Sequence, residues 1–303
     1  METLMATQEK KLRWVVLLKD NGVRLLSFLR AKLPERYSTK QLKRAIDSKA
    51  CFVNGKMELI STRRLKTTDQ VLFYLNRLNN LPNKKIPISP PLFEDKEVYV
   101  INKPSGLISD VDTIRDHLGK GTPPLFLVHR LDKETSGALI LAKTLVAKRE
   151  LEKAFKERRV AKCYLAIVDG VVSRLKGKID QSLVRKKSYE GQVMWGVTTS
   201  KEGLSASTSY ELMASDQELS LLKVFPKTGR THQIRVHLNA IKHPILGDYH
   251  YGRSFKSNRV VKRHMLHAYS LSFPLRGKII EVVAPIPSDM EEVIQSVYAV
   301  SHC

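Results

Sequence analysis

The sequence predicts an α+β protein: a domain built on a mixed, mainly antiparallel sheet with a few helices, preceded by a small α/β module. Three observations carry this. Beyond residue 97 strand-length apolar runs recur, several joined in pairs by short turns, as 204–213 is to 219–225 across Ala214-Ser215-Asp216-Gln217. The regular strand and helix alternation of a doubly wound parallel sheet is absent, as is any internal repeat of constant period. Finally, residues 76–91 are polar and interrupted by Pro82, Pro87, Pro90 and Pro91, which excludes helix and disfavours strand. The expected organisation is therefore a first domain over 13–76, a linker over 77–91 and a second domain over 92–303.

Composition narrows the partners. The 303 residues are 42% hydrophobic, enough for a substantial core, and carry a net charge of +22 with a pI near 9.9. A balance this basic points to a polyanion. Nucleic acid fits better than a membrane, because no stretch is long and apolar enough to span a bilayer and no helix pairs a Lys/Arg face with an aromatic one. Glu2, Glu9, Lys10 and Lys11 surround a short apolar stretch unlike a secretory leader, and residues 1–12 are polar and expected to fray. Cys51, Cys163 and Cys303 are odd in number, far apart and without C-x-x-C spacing, which suits a reducing cytoplasm and argues against a zinc site.

In the first domain, Leu25, Leu29 and Leu33 recur at helical spacing, with Asp20-Asn21 as a start signal and Pro34 as a stop. A second helix from Ser38 places Leu42, Ala45 and Ile46 on one face. Asn54-Gly55 supplies the positive φ values of a type I′ hairpin turn, and 71–75 reads as a closing strand. Two basic helices, a VNGK hairpin and a strand together resemble the S4 RNA-binding domain over roughly 20–75. That resemblance implies phosphate contacts through Arg24, Lys40, Lys43, Arg44 and Lys49, whereas each lysine taken singly also suits a solvated helix face.

In the second domain, residues 98–101 form a strand running into the turn Asn102-Lys103-Pro104-Ser105-Gly106. Two apolar runs, 125–128 and 137–142, bracket a charged loop. Thr144 can cap a helix to about Arg158 that buries Ala147, Leu151, Ala154 and Phe155 and pairs Glu152 with Lys156. Residues 162–168 alternate as a strand ending at Asp169-Gly170. Thr231 can cap a helix with Ile234, Leu238 and Ile241 inward, leaving Arg235 on another face, with Pro244 as its stop. Residues 268–274 and 278–283 form a hairpin around Arg276-Gly277, and Ser288-Asp289-Met290-Glu291 is a capping box for a last helix carrying Val293, Ile294 and Val297.

The bracketed loop reads His129-Arg130-Leu131-Asp132-Lys133-Glu134-Thr135-Ser136-Gly137. By composition alone it suits a solvated hairpin tip as well as a catalytic loop held by rigid strands. The ordered string, however, closely resembles the signature of the RluA family of pseudouridine synthases. Three further stretches resemble that family in the same order: the 102–107 turn, Lys162-Cys163-Tyr164-Leu165-Ala166-Ile167-Val168-Asp169-Gly170, and Thr228-Gly229-Arg230-Thr231-His232-Gln233-Ile234-Arg235-Val236-His237 with the turn His243 to Asp248 after it.

The resemblance implies cofactor-free isomerisation of uridine in structured RNA, with large-subunit ribosomal RNA the expected substrate and transfer RNA the alternative. It makes Asp132 the catalytic carboxylate, Arg235 its cationic partner and Tyr164 the aromatic that stacks on the target base. Arg130 is expected to fill the space the uridine vacates and Arg230 to touch phosphate. His129 and Lys103, from the same motifs, are expected at the substrate. Two readings from other classes compete: a catalytically silent RNA-binding protein, which would not need Asp132, Tyr164 and Arg235 intact, and a hydrolase, which would need a metal cluster or a second placed acid. No His/Cys spacing suggests a metal, and the paired histidines 232/237 and 264/267 read as satisfied structural groups. A cytoplasmic monomer is expected.

Overall fold

The computed structural model describes residues 11–33, 37–47, 50–58, 60–75, 87–119, 121–189, 192–252 and 255–301. The chain divides into two compact units, Met1–Lys84 with Arg185–Met194, and Lys85–Val184 with Trp195–Cys303.

The first unit contains β1 (Lys11–Val15), α1 (Leu25–Lys32), α2 (Thr39–Asp47), β2 (Cys51–Val53), β3 (Lys56–Met57) and β4 (Gln70–Tyr74). Its antiparallel sheet runs β1-β4-β2-β3. Lys11 and Leu12, expected to fray, instead pair with Tyr74 and Phe73, because the alternation of Leu12 and Trp14 lets β1 lay an apolar edge on the core. Asn54 (φ 52°) and Gly55 (φ 76°) make the expected hairpin turn. Ser38 and Gln41 satisfy each other's backbone amides at the start of α2. Asp20-Asn21 does not start α1. A 3₁₀ turn ends at Asp20, Arg24 holds the N-cap position, and the amides of Leu25 and Leu26 donate to the carbonyls of Arg63 and Ser61, so tertiary contacts replace a side-chain cap. Leu25, Phe28, Leu29, Leu42, Ile46, Val71 and Phe73 are buried.

The second unit follows the order β5 (Phe93–Glu94), β6 (Val98–Lys103), α3 (Val111–Leu118), β7 (Phe126–Leu127), β8 (Ser136–Ala142), α4 (Leu145–Lys156), β9 (Ala161–Asp169) and β10 (Lys176–Asp180). The ribbon β11 (Ser182–Tyr189) and β12 (Gln192–Thr198) comes next in the chain, its Arg185–Met194 portion belonging to the first unit, then β13 (Ser207–Ser215), β14 (Leu219–Pro226), α5 (Gln233–Ala240), β15 (Leu266–Leu275), β16 (Lys278–Val283) and α6 (Ser288–Ser301). A ten-stranded sheet runs β10-β13-β14-β9-β15-β8-β6-β5, with β16 on β15 and β7 on β8. Only β8 and β15 pair in parallel, so the sheet is mixed and mainly antiparallel.

Thr144 caps α4 by accepting from the Ala147 amide, and Ala147, Leu151 and Ala154 are buried. Glu152 pairs with Lys148 rather than with Lys156, at 3.7 Å. Pro287, not the Ser288 capping box, opens α6: its carbonyl accepts from the amides of Met290 and Glu291, while the Asp289 carboxylate is taken by Arg263.

The sheet brings the loop and the tyrosine strand together. Ala268 on β15 lies opposite Gly137 on one side and Tyr164 on the other. Two strand spacings, roughly 10 Å, therefore separate β8 from β9 at that level. A Cβ on Gly137 would lie 2.2 Å from the Ala268 carbonyl oxygen, and its φ is +114°, so only glycine permits this approach. Beyond Ala268 the register shifts at a bulge before Ser270, which re-aims the strand beside the cleft.

Candidate active site

Asp132 sits in the loop between β7 and β8, and that loop is braced almost residue by residue. Ser109 Oγ donates to the Leu131 carbonyl (2.8 Å) and accepts from the Leu131 amide (3.2 Å). The Lys103 ammonium donates to the carbonyls of Pro104, Leu107 and Lys133 at 2.8–3.0 Å. Arg263 reaches the Glu134 carbonyl, Thr135 Oγ1 meets His264 Nε2 at 2.8 Å, and Ser136 Oγ meets His267 Nδ1 at 2.9 Å. Such a loop holds a carboxylate where its own conformational preference would not.

The carboxylate divides its oxygens. Oδ2 accepts from Arg235 Nη1 at 2.9 Å, while Oδ1 faces His232 Nε2 at 3.8 Å. Arg235 is itself fixed by Asp248, which accepts from Nε (2.7 Å) and Nη2 (2.8 Å) in a bidentate pair, and its guanidinium lies 5.0 Å from the Tyr251 ring centre. Arg235 and Asp248 are buried. Burial opposes ionisation of Asp132, but His232 and Arg235 outweigh it and hold the carboxyl below its usual range. The permanent charge among them is Arg235, because burial draws His232 down to about 4.

Helix α5 places Arg235. Thr231 does not cap it. His232 occupies the N-cap position in the left-handed region (φ 55°), and the Gln233 side chain accepts from Thr228 Oγ1 (2.6 Å) and the Arg230 amide (3.0 Å), so Gln233 closes the turn that Thr231 was expected to close. Tyr164 projects from β9 into the same cleft. Burial, with the Asp132 carboxylate, pushes its phenol up, so it stays protonated.

A cleft open to solvent is lined by Arg130, Asp132, Tyr164, Arg230, His232 and Arg235, with Lys162 among the remaining residues. Thus Asp132, Tyr164, Arg235, Arg130 and Arg230 are brought together, with both outer arginines exposed. His129 and Lys103 are not at the cleft. His129 turns onto β8, where Nε2 accepts from the Ile140 amide (2.9 Å), and burial holds its pKa at about 3. Lys103 is wholly buried beneath the loop; burial draws its pKa to about 7, while three carbonyl acceptors match the three hydrogens of the ammonium form. Asp248 is a site residue that sequence reasoning passed over, and His232, expected to be a satisfied structural group, instead lines the cleft; both lie inside the stretches that resemble the family. Among the described residues no group of three or more His, Cys, Asp or Glu is placed to hold an ion.

A braced, ionised acid, a fixed guanidinium and an aromatic share one cleft on this sheet, and residues 97–240 match the family described as RNA pseudouridylate synthase. The chain belongs to the RNA pseudouridine synthase family, and is an isomerase. It is 34% identical to an uncharacterized RNA pseudouridine synthase of Aquifex aeolicus, over 91% of this chain and 93% of that one. It is also 34% identical to a ribosomal large subunit pseudouridine synthase D of Zymomonas mobilis, over 86% and 90%. Among solved structures, human RNA pseudouridylate synthase domain containing 1 is 27% identical with a TM-score of 0.59, over 72% of this chain and 97% of its own.

Proposed function

We propose that this synthase isomerises uridine in large-subunit ribosomal RNA, without a cofactor, through Asp132. The observation that carries the reading is the divided carboxylate: Arg235 occupies Oδ2 and leaves Oδ1 toward the cleft that Tyr164 and Arg130 line. The reaction breaks N1–C1′, rotates the base and forms C5–C1′; C5 loses a proton and N1 gains one, with no net redox change. An ionised carboxylate suits it whether it attacks covalently or stabilises positive charge developing on the sugar. Tyr164, protonated and half-buried, offers a ring for stacking. The cleft opens to solvent, with Arg130 and Arg230 exposed among its lining residues, which suits entry of a nucleotide extruded from structured RNA. Arg130 stands exposed at its edge to occupy the vacated stack, with Arg230 beside it for phosphate.

Ribosomal RNA is preferred over transfer RNA because relatives spanning nearly the whole chain are named for the large ribosomal subunit. The first unit, two helices on a four-stranded sheet, is read as an S4-type RNA-binding domain that presents Arg24 and Lys43, both exposed, to phosphates. Lys49 and the side chains of Lys40 and Arg44, assigned the same role, lie outside the described residues. Among the described residues no helix is long and apolar enough to cross a membrane, and we place the enzyme in the cytoplasm as a monomer. Incubating the purified protein with unmodified large-subunit ribosomal RNA and with transfer RNA transcripts, then mapping pseudouridine chemically, tests this. Product in ribosomal RNA alone is expected; product in transfer RNA alone would transfer the assignment, and none in either would overturn it.

A further inference from the structure

His232 departs from its neighbours. The ring nitrogens of His237 meet Thr208 Oγ1 and the Gln181 carbonyl, and those of His267 meet Ser136 Oγ and the Ala284 carbonyl, as structural histidines should. His232 instead lines the cleft, bonded through Nδ1 only, with Nε2 facing Asp132 Oδ1 at 3.8 Å. Its backbone is left-handed at the head of α5, so the ring leaves the helix toward the carboxylate rather than along the helix surface.

The Nδ1 bond fixes which nitrogen carries the proton. Tyr251 Oη accepts from the Trp195 amide (3.3 Å) and lies 2.6 Å from His232 Nδ1. The Tyr251 phenol is pushed up to about 12 by burial and keeps its proton, and among the described residues Nδ1 is the acceptor within its reach. A proton on Nδ1 would strand the phenolic hydrogen in a buried site, so Nδ1 accepts and the neutral ring carries its hydrogen on Nε2. A directional chain results: Trp195 N–H to Tyr251 O–H to His232, whose Nε2–H then points at Asp132. Burial keeps the ring neutral, with Arg235 and His250 countering the pull of Asp132.

Resting on the isomerase reading above, we propose that His232 is a positioning residue: Tyr251 locks it as the Nε2–H tautomer, and it aims that N–H at Oδ1, orienting the one carboxylate oxygen Arg235 leaves for the uridine. At 3.8 Å the N–H lies beyond hydrogen-bond distance, so it directs Oδ1 without sequestering it. The opposite tautomer would turn a nitrogen lone pair on a carboxylate oxygen and push it away.

Nitrogen-15 NMR of the imidazoles in the full chain reads the tautomer without substitution; protonated Nε2 with unprotonated Nδ1 is expected for His232, and the reverse would overturn the proposal. A kinetic cycle tests its consequence. His232→Asn tolerates the left-handed backbone and keeps a group near Tyr251 but has none at Nε2; kcat should fall about tenfold or more, toward the hundredfold typical of a misplaced reacting group, with KM little changed. His232→Gln carries an N–H to the Nε2 position and needs no tautomer lock. Tyr251→Phe, which keeps the ring over Arg235, should therefore lower kcat beside His232 but barely affect it beside Gln, a departure from additivity of about threefold or more. Equal effects in both backgrounds would mean that His232 only packs. If the unsubstituted protein forms no pseudouridine, the isomerase reading fails first, and the NMR result alone still decides the tautomer.

Discussion

At the scale of single residues, the proposed chemistry depends on how charge is shared among three side chains. Arg235 is held by two carboxylates, and they differ in what their removal does. Asp248 supplies the bidentate pair and is buried, so Asp248→Asn leaves a buried guanidinium with one anion; a loss of about 3 kcal/mol is expected in urea unfolding, with reduced kcat. Asp132→Asn leaves the Arg235–Asp248 pair intact, so stability should stay within about 1 kcal/mol while activity disappears. Matching stability losses in the two variants would contradict this division. The sequence made Asp132, Tyr164 and Arg235 legible because ordered motifs announce them. It did not reveal that Lys103 and His129 face away from the cleft, since a motif records that a residue is required and not which way it points. Asp248 was hidden differently: its partner is 13 positions away, across a helix and a turn, where no periodicity links them.

At the scale of elements, the loop is a shape imposed from outside. Its carbonyls are held by Lys103, Ser109 and Arg263, and its last residues by His264 and His267, so the loop's geometry is stored in β6, the turn between β6 and α3, β15 and the segment before β15. Gly137→Ala tests the tightest point. With backbone 2.2 Å from the new Cβ and φ at +114°, the parallel pairing of β8 with β15 must open, and a loss of more than about 2 kcal/mol is expected by thermal or urea unfolding. A neutral result would mean that the two strands do not pair as described. Hairpins marked by Asn-Gly, Arg-Gly and an acidic turn were legible because turn chemistry is local. Helix α3 was passed over although Asp110 caps it by accepting from the Thr113 amide and Val111, Ile114 and Leu118 share its inward face. Strands β10 and β11 were not legible because their sequences are polar and basic, and β12 because it lacks a clear turn signal before it. The start of α5 misled for a related reason: Thr231 has the composition of a cap, but the Gln233 side chain sets the turn, accepting from Thr228 and Arg230 while Ser207 and Thr208 on the neighbouring strand hold its amide.

At the scale of the whole molecule, two charge effects should be visible. Burial holds His129 and His264 at about 3 and His232 and His267 at about 4, well below their unfolded value of about 6.5. Between those limits the unfolded chain binds more protons, so the contribution of these rings to stability is full above about pH 6.5 and falls as pH drops toward 4. The lowered carboxylates Asp132 and Asp248 add their loss only below about pH 3.9. The melting temperature should therefore begin to fall near pH 6.5; a flat profile down to pH 4.5 would show that these rings are protonated in the native state. The net charge of +22 should make RNA binding salt-dependent. Replacing Arg24 and Lys43 by alanine should weaken RNA affinity and reduce the slope of log K against log salt by about 0.7–0.9 for each phosphate no longer neutralised, whereas an unchanged slope would remove the first unit from the RNA interface.

The most direct test joins these scales in one protein and its variant. Unmodified large-subunit ribosomal RNA is incubated with the wild-type chain and with Asp132→Asn, and both pseudouridine content and RNA affinity are measured. The account predicts pseudouridine with the wild type, none with Asp132→Asn, and affinities within about threefold of each other, because the variant alters a reacting group rather than the basic surface. Pseudouridine formed at the wild-type rate by Asp132→Asn would contradict it.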